Sequence, residues 1–69
     1  MNRVTVESTN LAAVGYDADS STLEIEFRNG SVYQYFDVPS FVVDDLISGE
    51  SAGSYFYSNV RGVYRFARA

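Results

Sequence analysis

Apolar and polar residues alternate strictly from Arg3 to Glu7, with Val4 and Val6 on one face, which is the two-residue repeat of a β-strand. Ser8-Thr9-Asn10 supplies turn residues, and residues 12 to 17 resume as a second short strand carrying Val14 and Tyr16. Beyond the polar loop Asp17 to Ser21 comes the cleanest alternation of the chain. Leu23, Ile25 and Phe27 face one way and Glu24 and Glu26 the other, as in an antiparallel strand with one face buried and one wet.

Asn29-Gly30 marks a tight hairpin into Val32 to Phe36, and the loop length decides which side chains share the face of Leu23, Ile25 and Phe27. A two-residue loop brings Val32, Gln34 and Phe36 to that face. A three-residue loop, with a type I turn over Arg28-Asn29 and Gly30 in the left-handed position, brings Tyr33 and Tyr35 instead. The second is preferred, because burying Gln34 unpaired costs about 1 to 3 kcal/mol, whereas a tyrosine buries its ring and leads its hydroxyl outward.

Pro39 stops the strand, and Ser40 is the expected N-cap of a helix of eight or nine residues closed by Gly49. Val42 with Leu46 and Val43 with Ile47 form its apolar face, and Asp44 and Asp45 are expected near the positive end of its dipole. After Glu50, the four-residue repeat Ala52, Phe56, Val60 between Ser51 and Gly62 predicts a second short helix, although Tyr55 to Tyr57 could equally begin a strand. Val63 to Arg68 alternates again, Tyr64 and Phe66 against Val63, Arg65 and Ala67, which suits a last edge strand or a packed tail. The fold class expected is α+β: a small antiparallel meander packed on one α-helix, with a short C-terminal helix or edge strand.

Composition narrows the chemistry more than the architecture. In 69 residues there is no Cys and no His, and all five basic residues are arginine. That excludes thiolate or imidazole catalysis, a lysine Schiff base and a zinc site of ordinary ligands. With 46% hydrophobic and 16% aromatic residues the chain should fold, as a single domain. The net charge of −4 opposes non-specific attraction to nucleic acid or anionic membrane. No apolar run approaches a membrane span and Met1-Asn2-Arg3 leads into no signal-peptide core, so a cytoplasmic monomer without a membrane partner is expected.

The ordered blocks Ser8-Thr9-Asn10-Leu11, Val14-Gly15-Tyr16-Asp17, Leu23 to Phe27, Tyr33-Gln34-Tyr35, Val38-Pro39, Ser51 to Phe56, Val60-Arg61-Gly62 and Tyr64 resemble the KTSC domain. That family is a module of the C-terminus of some lysyl-tRNA synthetases which also occurs as stand-alone bacterial proteins. The resemblance covers roughly residues 3 to 65. It departs at Ala52, where members often carry a basic residue, and at Tyr57, where an asparagine is common. It implies a small accessory module directed at RNA, without a cofactor, and assigns no residue a role.

Several constellations have simpler readings than chemistry. Asp17-Ala18-Asp19 begins like a calcium loop, yet the sixth and twelfth places hold Thr22 and Arg28 where Gly and a bidentate Glu are needed, so a solvated turn is expected. Glu24 and Glu26, about 7 Å apart on a strand, match a glycosidase pair but more simply form a wet outer face. The uneven charge is more informative. Residues 60 to 69 hold Arg61, Arg65 and Arg68 and no acid, whereas the rest holds nine acids against two arginines. These arginines either neutralise the acidic body or, interleaved with aromatics, contact phosphates while rings stack on bases. The candidate site for nucleic acid or a partner protein is therefore Tyr57, Arg61, Tyr64 and Arg65, with Tyr33 and Tyr35 expected to be structural. A protein-interaction module using a sheet edge or the 55–57 aromatics is the alternative function.

Overall fold

The computed structural model describes residues 3–6, 8, 10–49 and 51–69. The expectations that involve Glu7, Thr9 and Glu50 therefore lie outside the described residues. Five strands form one antiparallel meander in the order β1-β2-β3-β4-β5: Arg3–Thr5, Leu11–Asp17, Thr22–Phe27, Val32–Tyr35 and Phe66–Arg68. Two helices, α1 (Ser40–Ser48) and α2 (Ala52–Asn59), fill the connection between β4 and β5. Both the C-terminal helix and the edge strand are present, where the sequence left a choice between them.

The alternation of Thr22 to Phe27 becomes β3 with the expected boundaries, Leu23 and Ile25 fully buried. β2 begins at Leu11, one residue earlier than the sequence pattern. A bulge between Leu11 and Ala13 lets Leu11 face the core with Val14. β1 buries little: Val4 is exposed, and Val6 reaches the core only beyond the strand's end. In the turn that follows, the Ser8 hydroxyl accepts hydrogen bonds from the backbone N–H groups of Asn10 and Leu11.

The β3–β4 hairpin has the three-residue loop. The Gly30 N–H donates to the Phe27 carbonyl and the Phe27 N–H to the Ser31 carbonyl, while Gly30 sits at φ +93°, a region closed to most side chains. Leu23 then pairs with Tyr35 and Ile25 with Tyr33, so both tyrosine rings lie on the core face. Gln34 goes outward opposite Glu24 and donates to its carboxylate at 3.2 Å.

Helix α1 buries Val42, Val43 and Leu46 against the sheet. Three details differ from expectation. Ser40 is the first helical residue, and Pro39, extended at ψ 151°, takes the N-cap place without a side-chain hydrogen bond. Asp44 and Asp45 lie beyond the first turn, where no acid sits; Asp45 accepts a hydrogen bond from the Tyr55 hydroxyl and so joins α1 to α2. Ile47 is 40% exposed, because it lies about 140° around the helix from Val42, at the margin of the stripe. Gly49 closes the helix through its N–H to the Asp45 carbonyl with φ −74°, not in a left-handed conformation.

In α2 the four-residue repeat holds: Ala52, Phe56 and Val60 are buried. A Cβ on Gly53 would stand 2.9 Å from the Ser8 hydroxyl, so the start of α2 fits against the β1–β2 turn only because residue 53 has no side chain. Leu11, Val14, Leu23, Ile25, Tyr35, Val38, Leu46 and Phe56 belong to one continuous core between sheet and helices.

Candidate functional site

The open end of this core is a cleft of about 340 Å³ between α2 and the β4–β5 edge of the sheet. Strand register builds its floor. Because Tyr35 pairs with Phe66 and Tyr33 with Arg68, alternation puts Phe66 and Arg68 on the same face as the two tyrosines. The Phe66 ring leans on both, with centroids 5.7 Å from Tyr35 and 5.8 Å from Tyr33. Phe27 meets Tyr33 edge-on at 5.6 Å, and the Arg68 guanidinium lies 5.9 Å from the Tyr33 ring centroid. Helix α2 builds the wall. The repeat that drives Phe56 into the core leaves its neighbour Tyr57 at the rim, 44% exposed, with Arg61 over its ring at 5.2 Å. After Val60 the chain reverses through Gly62 at φ +80° and returns as β5.

Among the described residues, no acid lines the cleft. Glu24 and Glu26 are on the opposite sheet face, where Arg3 binds both. Arg3 faces Gly15 on β2, whose other neighbour is Glu24, so the guanidinium crosses a strand that presents no side chain at that point. Burial works against the Glu24 carboxylate, but hydrogen bonds from Arg3 and Gln34 outweigh it and hold its pKa below the usual carboxylate value. Asp19 closes its own turn through its N–H to the Asp17 carboxylate at 3.1 Å. Among the described residues there is no group of three or more acids that could hold a metal ion. The cleft in this acidic protein is thus lined by aromatic rings and Arg61, with no acid among the described residues. At the Tyr35 hydroxyl, burial and the neighbouring Tyr33 and Tyr57 raise the pKa while Arg61 opposes them, so these groups share one local field.

The four residues singled out in the sequence do not form one surface. Tyr57 and Arg61 meet at the cleft. Tyr64 packs half-buried against the core. Arg65 points to the other sheet face, where it pairs with Asp37 at 2.9 Å and lies 5.7 Å from the Phe36 ring centroid. Strand alternation separates Arg65 from Phe66 and Arg68, so the arginine-rich tail is divided between two faces. Phe27, Phe56, Phe66 and Arg68 complete the surroundings of the cleft and were not singled out; the parity of Phe66 against Arg65 was the available signal.

The model of the KTSC domain matches residues 7–64. The chain belongs to the KTSC domain family. A crystal structure of a KTSC domain protein from Yersinia pestis superposes on it with a TM-score of 0.94 and 32% identity, covering 99% of this chain and 96% of that one. An uncharacterised protein of Stutzerimonas stutzeri is 41% identical over 56 residues, 81% of this KTSC domain and 79% of its own length. A lysine–tRNA ligase of a Nostoc species is 35% identical over 60 residues; these are 87% of this chain but only 11% of the ligase. The domain is therefore found both as a small protein and as a minor part of a much larger one. No described helix of this KTSC domain is long and apolar enough to cross a membrane.

Proposed function

We propose that this KTSC domain is a non-catalytic accessory module, acting as a monomer in the cytoplasm, that binds single-stranded RNA through the cleft between α2 and the β4–β5 edge. The observation that carries this reading is the cleft itself: rings at its surface, cations beside it and no acid among its lining residues, on a chain of net charge −4. Single strands are held by this combination of stacking platforms and positive charge. The lysine–tRNA ligases among the relatives, proteins named for tRNA, favour RNA over other polyanions. The absence of Cys, His and Lys leaves the domain to bind and position.

Titration of a fluorescent single-stranded RNA at low salt should give binding tighter than about 100 μM. Arg61→Ala should weaken it several-fold, whereas Arg65→Ala, which removes a charge already paired with Asp37, should change it less than about twofold. Absence of binding, or binding indifferent to Arg61→Ala, contradicts the proposal. A protein-interaction role is the second reading, favoured by Phe41 and Ile47, exposed apolar residues of α1 that do not line the cleft. Partners captured from a bacterial lysate would then survive nuclease treatment; on the RNA reading they are lost.

A further inference from the structure

Two tyrosine hydroxyls elsewhere in the fold are occupied by the protein. Tyr16 donates to the Val38 carbonyl at 2.6 Å and Tyr55 to the Asp45 carboxylate at 3.0 Å. Among the described residues, the hydroxyls of Tyr33, Tyr35, Tyr57 and Tyr64 have no protein partner, and the side chains of the first three line the cleft. The arginines show the same contrast. Arg3 holds two glutamates, Arg28 the Ser8 carbonyl, Arg65 Asp37 and Arg68 the Ser31 hydroxyl. Among the described residues only Arg61 has no hydrogen-bond or carboxylate partner, and it stands at the cleft against the Tyr57 ring.

Each of these groups has a defined complement. A phenol hydroxyl both donates and accepts, which suits the mixed edge of a heterocyclic base. An unpaired guanidinium presents a planar fork to phosphate oxygens. Phe66 is 59% exposed although it leans on two tyrosines, so it offers ring surface to a stacked ligand. At about 340 Å³ the cleft lies near the lower limit of small-ligand sites, about 300 Å³, which suits one planar ring with its phosphate rather than a run of bases.

We propose that the cleft receives one unstacked nucleotide of an RNA strand: the base stacks on Phe66 and Tyr57, the Tyr33 and Tyr35 hydroxyls bond its edge, and Arg61 holds its phosphate. This assignment rests on the RNA reading above and adds to it a defined unit of recognition. A single nucleotide should therefore bind without the rest of the strand.

Titrating the isotope-labelled protein with uridine 5′-monophosphate and adenosine 5′-monophosphate, followed by amide NMR signals, tests this. Both should shift Tyr33, Tyr57, Arg61 and Phe66 with a Kd on the order of 1 mM. Uridine and adenosine should bind at least fivefold more weakly than their monophosphates, and Arg61→Gln should abolish that difference. Phe66→Ala, at an exposed position, should keep the native spectrum and weaken nucleotide binding by about fivefold or more. Inorganic phosphate alone should leave the Phe66 and Tyr33 signals unmoved. If single-stranded RNA binds while the monophosphates leave these signals in place, the one-nucleotide cleft is wrong and the RNA reading stands. If neither binds, both are wrong.

Discussion

Phe56→Ala should cost about 3 to 5 kcal/mol and leave much of the protein unfolded at room temperature. The ring is 1% exposed and stands edge-on to three others, with centroids 5.6 Å from Phe27, 5.4 Å from Tyr35 and 5.4 Å from Tyr57. Removing it empties the junction of α2, β3 and β4 and takes the aromatic contacts with it. A domain of 69 residues without disulfides has about 3 to 10 kcal/mol in total, so one such cavity consumes most of the margin. Leu46→Ala, at a fully buried position of α1, should cost about 2 to 5 kcal/mol for the same reason. Urea unfolding followed by circular dichroism measures both. A cooperative transition weakened by less than about 1 kcal/mol in Phe56→Ala would show that α2 is not packed on the sheet.

The tyrosines of the Tyr33-Gln34-Tyr35 segment should respond unequally. Tyr35 is 4% exposed, paired across the sheet with Leu23 and flanked by Phe56 and Phe66, so Tyr35→Ala should destabilise the fold by about 3 to 5 kcal/mol. Tyr33 is only half-buried and faces Phe27, Phe66 and Arg68 nearer the solvent, so Tyr33→Ala should cost about 1 to 2 kcal/mol. Thermal melts of the two variants distinguish them. Equal and small effects would mean that neither ring belongs to the core.

The inequality marks how far the sequence could be read. Alternation and the wish to keep Gln34 out of the core were enough to choose the three-residue hairpin, and with it the face of both tyrosines. These are local rules, satisfied within the span 22 to 36, and β3 and β4 obey them. The helical repeat of Ala52, Phe56 and Val60 was legible for the same reason. How deeply Tyr33 and Tyr35 are buried was not, because that depends on which strand lies beside β4. Phe66 arrives there only after both helices, across a connection of about thirty residues, and no local pattern sets that register. The division of the candidate residues between two faces was hidden for the same reason. Arg61, Tyr64 and Arg65 are close in sequence, but a turn at Gly62 and the strand that follows send them in different directions. Asp37, which takes Arg65, occupies a left-handed conformation at φ 58° in the loop after β4, a pairing invisible without the fold.

On the proposed function, RNA contacts the aromatic cleft rather than the arginine-bearing tail as a whole. Cross-linking with a 4-thiouridine-containing single-stranded RNA, followed by trypsin and mass spectrometry, tests it directly, because cleavage at arginine separates the surfaces. The cleft predicts adducts on the peptides 29–61 and 66–68, at Tyr57, Tyr33 or Phe66. Adducts confined to Tyr16 on peptide 4–28, on the sheet away from the cleft, or to peptide 62–65, which carries Tyr64, would contradict it.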